Sequence, residues 1–276
     1  MVKTKRRVKS KNKTRKVIHK IDYVVAIPTY KRYDQVYEKS ISTLLKHKVP
    51  SNKINIFVAN KDEEELYKKS LPKGSYYKII IGVLGIQHQR NFIIDYFKEG
   101  TNVLFMDDDV ERVDKLKGDT FKQISNLDTF IKSAFKECRK AGLYLWGIYP
   151  VRNEFFMKPR PEKSKDLRFI IGAFYGQVIR HSKDLKMKLK QKVDVENTIL
   201  HYKKDGGVLR YEKVTIKTKY YNPKGGILAV MKTNRLKVNE ESAKKLEILY
   251  PKYGHVWQRK NGKFEFKLNV LPYTPK

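Results

Sequence analysis

The chain has 276 residues and a mass of 32.6 kDa, enough for one large α/β domain or two small ones. Hydrophobic residues make up 40% and aromatic residues 12%, too many core-forming side chains for a disordered chain even with 33% charged residues. Lys and Arg number 61 against 29 Asp and Glu, a formal charge of +32 whose self-repulsion points to a polyanionic partner, nucleic acid before an anionic membrane surface.

Residues 1–20 carry ten Lys and Arg and no acid, so this stretch cannot bury itself and is expected to be a mobile arm that contacts nucleic acid, solubilises or acts as a nuclear-type address. Order is expected from Ile21. Tyr23 to Ile27 is a short apolar run closed by Pro28, the pattern of a buried strand, and Asp34 to Leu45 has apolar residues at helical spacing. Lys53 to Ala59 repeats the strand pattern and Asp62 to Ser70 the helical one. Tyr77 to Ile81, Gln87 to Phe97 and Asn102 to Met106 then read as strand, helix and strand, the last running directly into Asp107-Asp108-Asp109. Such alternation predicts a doubly wound, mainly parallel sheet flanked by helices, with its ligand site at the carboxyl ends of the strands.

Leu127 to Ala141 is predicted helical and includes Cys138, a lone cysteine that excludes an internal disulfide and a cysteine-based zinc site. Leu143 to Ile148, Phe169 to Val178 and Tyr211 to Thr218 read as strands of a mixed or antiparallel extension. Helices are expected at Asp194 to Lys204 and Ser242 to Leu249, and a hairpin at Trp257 to Leu268 turning at Asn261-Gly262. Pro159-Arg160-Pro161 and Pro223-Lys224-Gly225-Gly226 are loops, with no linker or repeat, so residues 21–276 are expected to form one domain. No apolar run of about 18 residues and no signal-like N-terminus occur, which predicts a soluble, intracellular, monomeric protein without a membrane partner.

The aspartate triplet carries the strongest chemical signal. Three carboxylates at the end of a buried strand repel one another, and a hard divalent cation such as magnesium, manganese or calcium offsets that repulsion. The alternative is a solvated acidic loop. At the first strand end, Pro28 stops the ladder, Thr29 is placed to cap the next helix, Tyr30 to stack on a base, and Lys31 or Arg32 to meet phosphate. No phosphate-cradling glycine motif follows it. Gly82 to Asn91 opens a helix with Gln87, Arg90 and Asn91 on one face, a polar cluster suited to diphosphate, while His88 lies off that face.

Together the Ile-Pro-Thr-Tyr-Lys-Arg strand end, the helix start with Gln89-Arg90-Asn91 and the Phe-Met-Asp-Asp-Asp strand end resemble nucleotide-sugar glycosyltransferases of the GT-A fold. Among these the chain is similar to the base J glucosyltransferase and the TET-associated DNA glycosyltransferases of phages and large DNA viruses. The resemblance runs from about Ile21 to about Leu268 and includes Trp146 to Asn153 and Gly172 to Gly176. It implies a nucleotide-sugar-binding half over residues 21–110 and an acceptor-binding half over 111–276.

By that resemblance, Pro28, Thr29, Tyr30 and Arg32 hold the uridine, and Arg90, with Gln87 and Asn91, lies near nucleotide or sugar. Asp107 and Asp108 face the nucleotide sugar, and Asp109 with Asp107 holds Mn2+ or Mg2+, joined by a late histidine, His255. Asp194 is the acceptor-side base, with Glu196 as substitute; apart from the resemblance, both could simply cap a helix. Deprotonating an attacking hydroxyl requires such a carboxylate, and one displacement inverts the anomeric centre.

Arg152, Lys158, Arg160, Lys163, Arg168 and Arg180 belong to a basic stretch between Arg152 and Lys192, interleaved with Phe155, Phe156, Phe169 and Tyr175. Such a surface can follow a phosphate backbone, and its aromatics can stack on an extruded base. Solvated lysines are the plain alternative. The expected activity is inverting glucosyl transfer from UDP-glucose to 5-hydroxymethyluracil or 5-hydroxymethylcytosine in DNA, in a host cytoplasm or nucleus for a virus and the nucleus for a eukaryote. The competing expectations are a GT-A transferase acting on protein or polysaccharide, and a non-catalytic nucleic-acid-binding protein.

Overall fold

The computed structural model describes residues 22–218 and 235–276; the basic stretch 1–20 and the loop Pro223-Lys224-Gly225-Gly226 lie outside them. The strands β1 (Val24–Pro28), β2 (Ile54–Val58), β3 (Lys78–Ile81) and β4 (Asn102–Met106) form a parallel array in the order β3-β2-β1-β4. Between them run α1 (Ser42–Lys46), α2 (Lys61–Ser70) and α3 (Ile86–Tyr96). The sheet continues past β4 through β9 (Phe174–Val178), β7 (Leu145–Ile148), β10 (Leu209–Tyr211) and the short β8 (Lys163–Ser164). β9 is antiparallel to both β4 and β7, so β7 again points the same way as β4. The eight-stranded, mostly parallel sheet is the predicted architecture.

Pleating sends alternate residues of each strand to opposite faces, and both faces are covered. On one side Val25, Ile27, Ile54, Ile56, Leu104 and Met106 pack with Val36, Leu44 and Tyr67 and with α4 (Leu127–Lys140), whose buried stripe includes Ile131, Phe135 and Cys138. On the other, Ala26, Phe57, Val103, Phe105 and Tyr175 pack with Ile93 and Ile94 of α3, Ile199 and Leu200 of α6 (Val193–Asp205) and Leu246 of α7 (Arg235–Leu249). Phe105 and Tyr175 stack face to face at 4.8 Å across the β4–β9 pair. A separate C-terminal hairpin, β12 (Gly254–Gln258) and β13 (Phe264–Leu268), turns at Asn261-Gly262 as expected, with Gly262 at φ +78°.

The structure departs from the sequence expectation in four places. The chain leaves Asp109 into a hairpin, β5 (Val110–Lys117) and β6 (Thr120–Gln123), which pairs with β11 (Val214–Thr218) in a second sheet. The stretch from Tyr211 to Thr218 is therefore divided between β10 and β11 in different sheets, and Phe169 to Ala173 precedes β9 as irregular chain. Asp34 to Leu45 is not one α-helix: Tyr37–Ile41 is a π-helical turn leading into α1, with the Ile41 N–H reaching back to the Val36 carbonyl at 3.0 Å. No helix among the described residues is long and apolar enough to cross a membrane.

Candidate active site

The carboxyl ends of β1 and β4 lie side by side, so Thr29 to Arg32 and Asp107 to Asp109 leave the sheet at one edge. The aspartate turn is closed from outside its own strand. Ser40, on the π-helical turn, donates to the Asp107 carbonyl at 2.6 Å and accepts from the Val110 N–H at 3.0 Å, bridging both ends of the tripeptide. Thr43, one turn on, donates to the Glu111 carbonyl at 2.8 Å. A π-turn widens the helix by one residue, and here it aims these two hydroxyls at the aspartate turn.

The three aspartates have different surroundings. Asp108 is buried, accepting from the Thr29 hydroxyl at 2.6 Å and from Arg32 at 2.5 Å. Burial pushes its carboxyl upward, against the pull of Arg32 and Thr29. Arg32 also reaches Asp109 at 3.2 Å, and its main-chain N–H donates to the Tyr67 hydroxyl. Thr29, Arg32 and Asp108 thus build the turn's interior: Thr29 caps no helix, and the Arg32 guanidinium is spent on the aspartates. Tyr30 is half-buried, with the Lys31 ammonium 5.4 Å from its ring centre, and Pro28 is buried at the end of β1. Tyr67 and Glu63, which accepts from the Lys31 N–H, are contributors from α2 that the sequence reading did not select.

Asp107 faces out of the turn toward Arg90, at 3.5 Å. Burial pushes its carboxyl up to about 7; Arg90 pulls it down, and Asp109, Asp108 and Asp194 push it further up. Arg90 is buried on α3, donates to the Gly172 carbonyl at 2.9 Å and lies 5.7 Å from the Tyr175 ring centre. Burial would lower its pKa, but Tyr175, Asp107 and Asp194 reverse that and hold it above the ordinary value. The Tyr175 hydroxyl, buried in the same field, has no hydrogen-bond partner among the described residues.

Asp194 opens α6 half-buried, accepting from the Val195 and Gly172 N–H groups at 3.0 and 3.4 Å. Its charge helps to raise the Asp107 carboxyl although the two come from elements far apart in sequence. Glu196 has a different task from the one the sequence suggested. It is fully buried, accepts from the Lys188 and Leu189 N–H groups at 2.8 and 2.9 Å and from the Tyr250 hydroxyl, and has no route to a substrate.

Gln87 and Asn91 do share a face with Arg90, but both amides donate to the Met187 carbonyl and hold the strap that leads into Asp194. Lys192, the residue before α6, is left-handed at φ +56° and ion-paired to Glu265 of β13 at 2.8 Å. His255 is exposed on β12, and among the described residues no three His, Cys, Asp or Glu side chains gather as a metal cage. Asp107 and Asp109 remain as the carboxylate pair that fits a hard divalent ion: their excess negative charge has one arginine on each side, and such an ion completes its shell with water and phosphate.

The predicted DNA-contacting residues do not form a bare cationic surface. Arg152 pairs with buried Asp114, Lys158 with Asp119, Lys163 with Glu137 and Arg168 with Asp166. Arg180 is sequestered in a two-pronged pair with Asp205 at 2.6 and 2.7 Å and stacked on Tyr144, so it is part of the interior and not a surface contact. Arg160 makes no ion pair among the described residues and lines an open cleft with Phe155 and Phe156. Phe169 packs against the core and Tyr175 is buried within it.

No protein-family model matches the sequence, and no curated protein matches it. Among solved structures, residues 1–349 of S. aureus TarS in complex with UDP are similar with a TM-score of 0.50 at 14% identity, over 82% of this chain and 66% of that one. Glucosyl-3-phosphoglycerate synthase from Mycobacterium tuberculosis, solved with Mn2+, UDP and phosphoglyceric acid, aligns over 91% of this chain and 88% of its own at 10% identity and a TM-score of 0.43. The chain spans 66% of the 1–349 TarS piece and 40% of a further TarS chain that it matches. Similarity at this level speaks to architecture, and the architecture is of the GT-A type.

Proposed function

We propose that the protein is a divalent-metal-dependent, inverting glycosyltransferase that moves glucose from UDP-glucose to a 5-hydroxymethylpyrimidine in DNA. The observation that carries the transferase reading is the meeting of Asp107, Arg90 and Asp194, from three separate elements, at the carboxyl edge of the sheet. UDP in the similar TarS structure supports the choice of donor. A divalent ion at Asp107 and Asp109 would supply charge neutralisation for the departing diphosphate. Arg90 holds Asp107 toward the donor, the Thr29, Arg32 and Asp108 set keeps the turn rigid, and Asp194 takes the proton from the acceptor hydroxyl as it attacks the anomeric carbon. The acceptor choice rests on the +32 charge and the cationic stretch 1–20.

A protein or polysaccharide acceptor is the second reading, favoured by the acids that already neutralise five of the six predicted DNA contacts. Incubation with UDP-[14C]glucose and Mn2+ or Mg2+ distinguishes them. Label is expected on DNA containing 5-hydroxymethyluracil or 5-hydroxymethylcytosine and is lost in Asp109→Ala. Label on a protein or polysaccharide with neither DNA modified overturns the DNA acceptor; no UDP-glucose turnover under any condition overturns the transferase.

A further inference from the structure

The helix α5 (Glu154–Met157) is a single turn that follows the carboxyl end of β7. Met106 of β4 pairs with Phe174, and Gly147 of β7 with Tyr175, so Ile148 and Met106 stand at one level on either side of β9. Two strand spacings put them about 10 Å apart. α5 therefore begins six residues past a strand end on the same edge as Asp107. Its Met157 turns inward onto Leu116 and Tyr149, and Lys213 clamps the turn by donating to the Met157 and Lys158 carbonyls.

That anchoring leaves Phe155 and Phe156 outside, 75% and 52% exposed, with ring centres 5.3 Å apart and planes at 79°. Together with Glu154, Lys158, Pro159 and Arg160 they line an open cleft of about 690 Å3. Two adjoining exposed aromatic rings form the kind of contiguous apolar patch that marks a binding surface. Beside the rings, Arg160 makes no ion pair among the described residues, Lys158 is held only by the exposed Asp119, a surface pair that a phosphate can exchange, and Glu154 is the one acid of the lining; on a chain of charge +32 the matching occupant is anionic and offers flat apolar faces. Unpaired nucleobases on a phosphate backbone meet both conditions, whereas a paired duplex hides its base faces.

We propose that Phe155 and Phe156 form a base-stacking platform, flanked by Lys158 and Arg160, that binds single-stranded or locally unpaired nucleic acid beside the catalytic edge. This rests on the nucleic-acid acceptor reading and narrows it: the acceptor strand is presented with its bases unstacked.

Fluorescence anisotropy tests it with three labelled probes of nearly equal total charge: a 20-mer of oligo(dT), a 20-mer strand of abasic sites, and a G·C-rich duplex of 10 base pairs. The wild-type chain is expected to bind oligo(dT) about tenfold tighter than either of the others, as loss of a stacked base requires. The double variant Phe155→Ala/Phe156→Ala is expected to lose that preference, bind all three alike and keep the wild-type slope against salt. Both rings are exposed, so its melting temperature reports whether it folds; should it not, Phe155→Ser and Phe156→Ser singly provide the same readout. Equal wild-type affinity for dT and abasic strands, or an intact preference in the variants, overturns the platform while leaving a DNA acceptor standing. No wild-type affinity for any of the strands, or variant loss of affinity for a neutral glucan instead, overturns both.

Discussion

Arg90 and Asp194 are joined through one residue, because the Gly172 carbonyl accepts from the guanidinium at 2.9 Å while the Gly172 N–H donates to the carboxylate at 3.4 Å. A side chain on the residue between them would press on the guanidinium. A Cβ at position 172 would lie 2.6 and 2.7 Å from the two terminal nitrogens of Arg90.

Gly172→Ala is expected to displace the Arg90 guanidinium and loosen both Asp107 and Asp194. We expect kcat/KM for glucosyl transfer to fall at least about tenfold, equivalent to about 1.4 kcal/mol of transition-state stabilisation. Steady-state kinetics alongside a melting curve check this, and wild-type kinetics in a well-folded variant would show that Arg90 can move at no cost.

The two acids of α6 are expected to fail in different ways. Asp194→Asn should lower kcat by about 10²- to 10⁴-fold, the range for loss of a general base, with UDP affinity nearly unchanged by calorimetry. Glu196→Gln places an amide against the Lys188 and Leu189 N–H donors and should instead cost about 1–3 kcal/mol of stability, read by denaturant unfolding. If Asp194→Asn transfers normally, the base is another group.

Much of this site was legible because strand ends announce themselves. Four apolar residues from Val103 to Met106 followed by three acids place the aspartates at a sheet edge whatever their neighbours do. Which of the three points inward was not legible, since it depends on Arg32 and Thr29 arriving from β1. The shared face of Gln87, Arg90 and Asn91 follows from helical spacing, but the Met187 carbonyl that takes up the two amides lies 100 and 96 residues away. β5 escaped because Glu111, Arg112 and Lys115 dilute its apolar alternation, and its pairing with β11 needs a partner about a hundred residues later. The basic stretch misled for a related reason: composition counts cations and says nothing of Asp114, Asp119, Glu137, Asp166 and Asp205 folding onto them.

His201 gives the fold a pH signature. It is fully buried in α6, and burial first, then Arg180, pushes its pKa down to about 3. It stays neutral in the folded chain while the unfolded chain binds a proton below about pH 6.5. Between about pH 6.5 and 3 the unfolded state therefore holds more protons, and stability falls as pH falls, by at most about 1.4 kcal/mol per pH unit from this residue. Melting temperatures across that window should decline less steeply in His201→Leu; parallel curves would assign the acid sensitivity elsewhere.

Ser40→Ala removes the acceptor of the buried Val110 N–H and the donor to the Asp107 carbonyl. A cost of about 1–3 kcal/mol is expected for the orphaned groups. Mn2+ affinity, followed by electron paramagnetic resonance with UDP present, should weaken, and unaltered affinity would mean that the turn keeps its shape unaided.

The same serine has a mechanical consequence. Where a ladder of main-chain bonds closes the base of a loop, opening it unzips strands one pair after another. Here a single hydroxyl is the clasp across Asp107 and Val110, carried on a neighbouring helix. The loop's two ends can part by losing that clasp while β4 and β5 keep their own strand partners, so the acidic tip has a latch that is separate from the sheet bearing it.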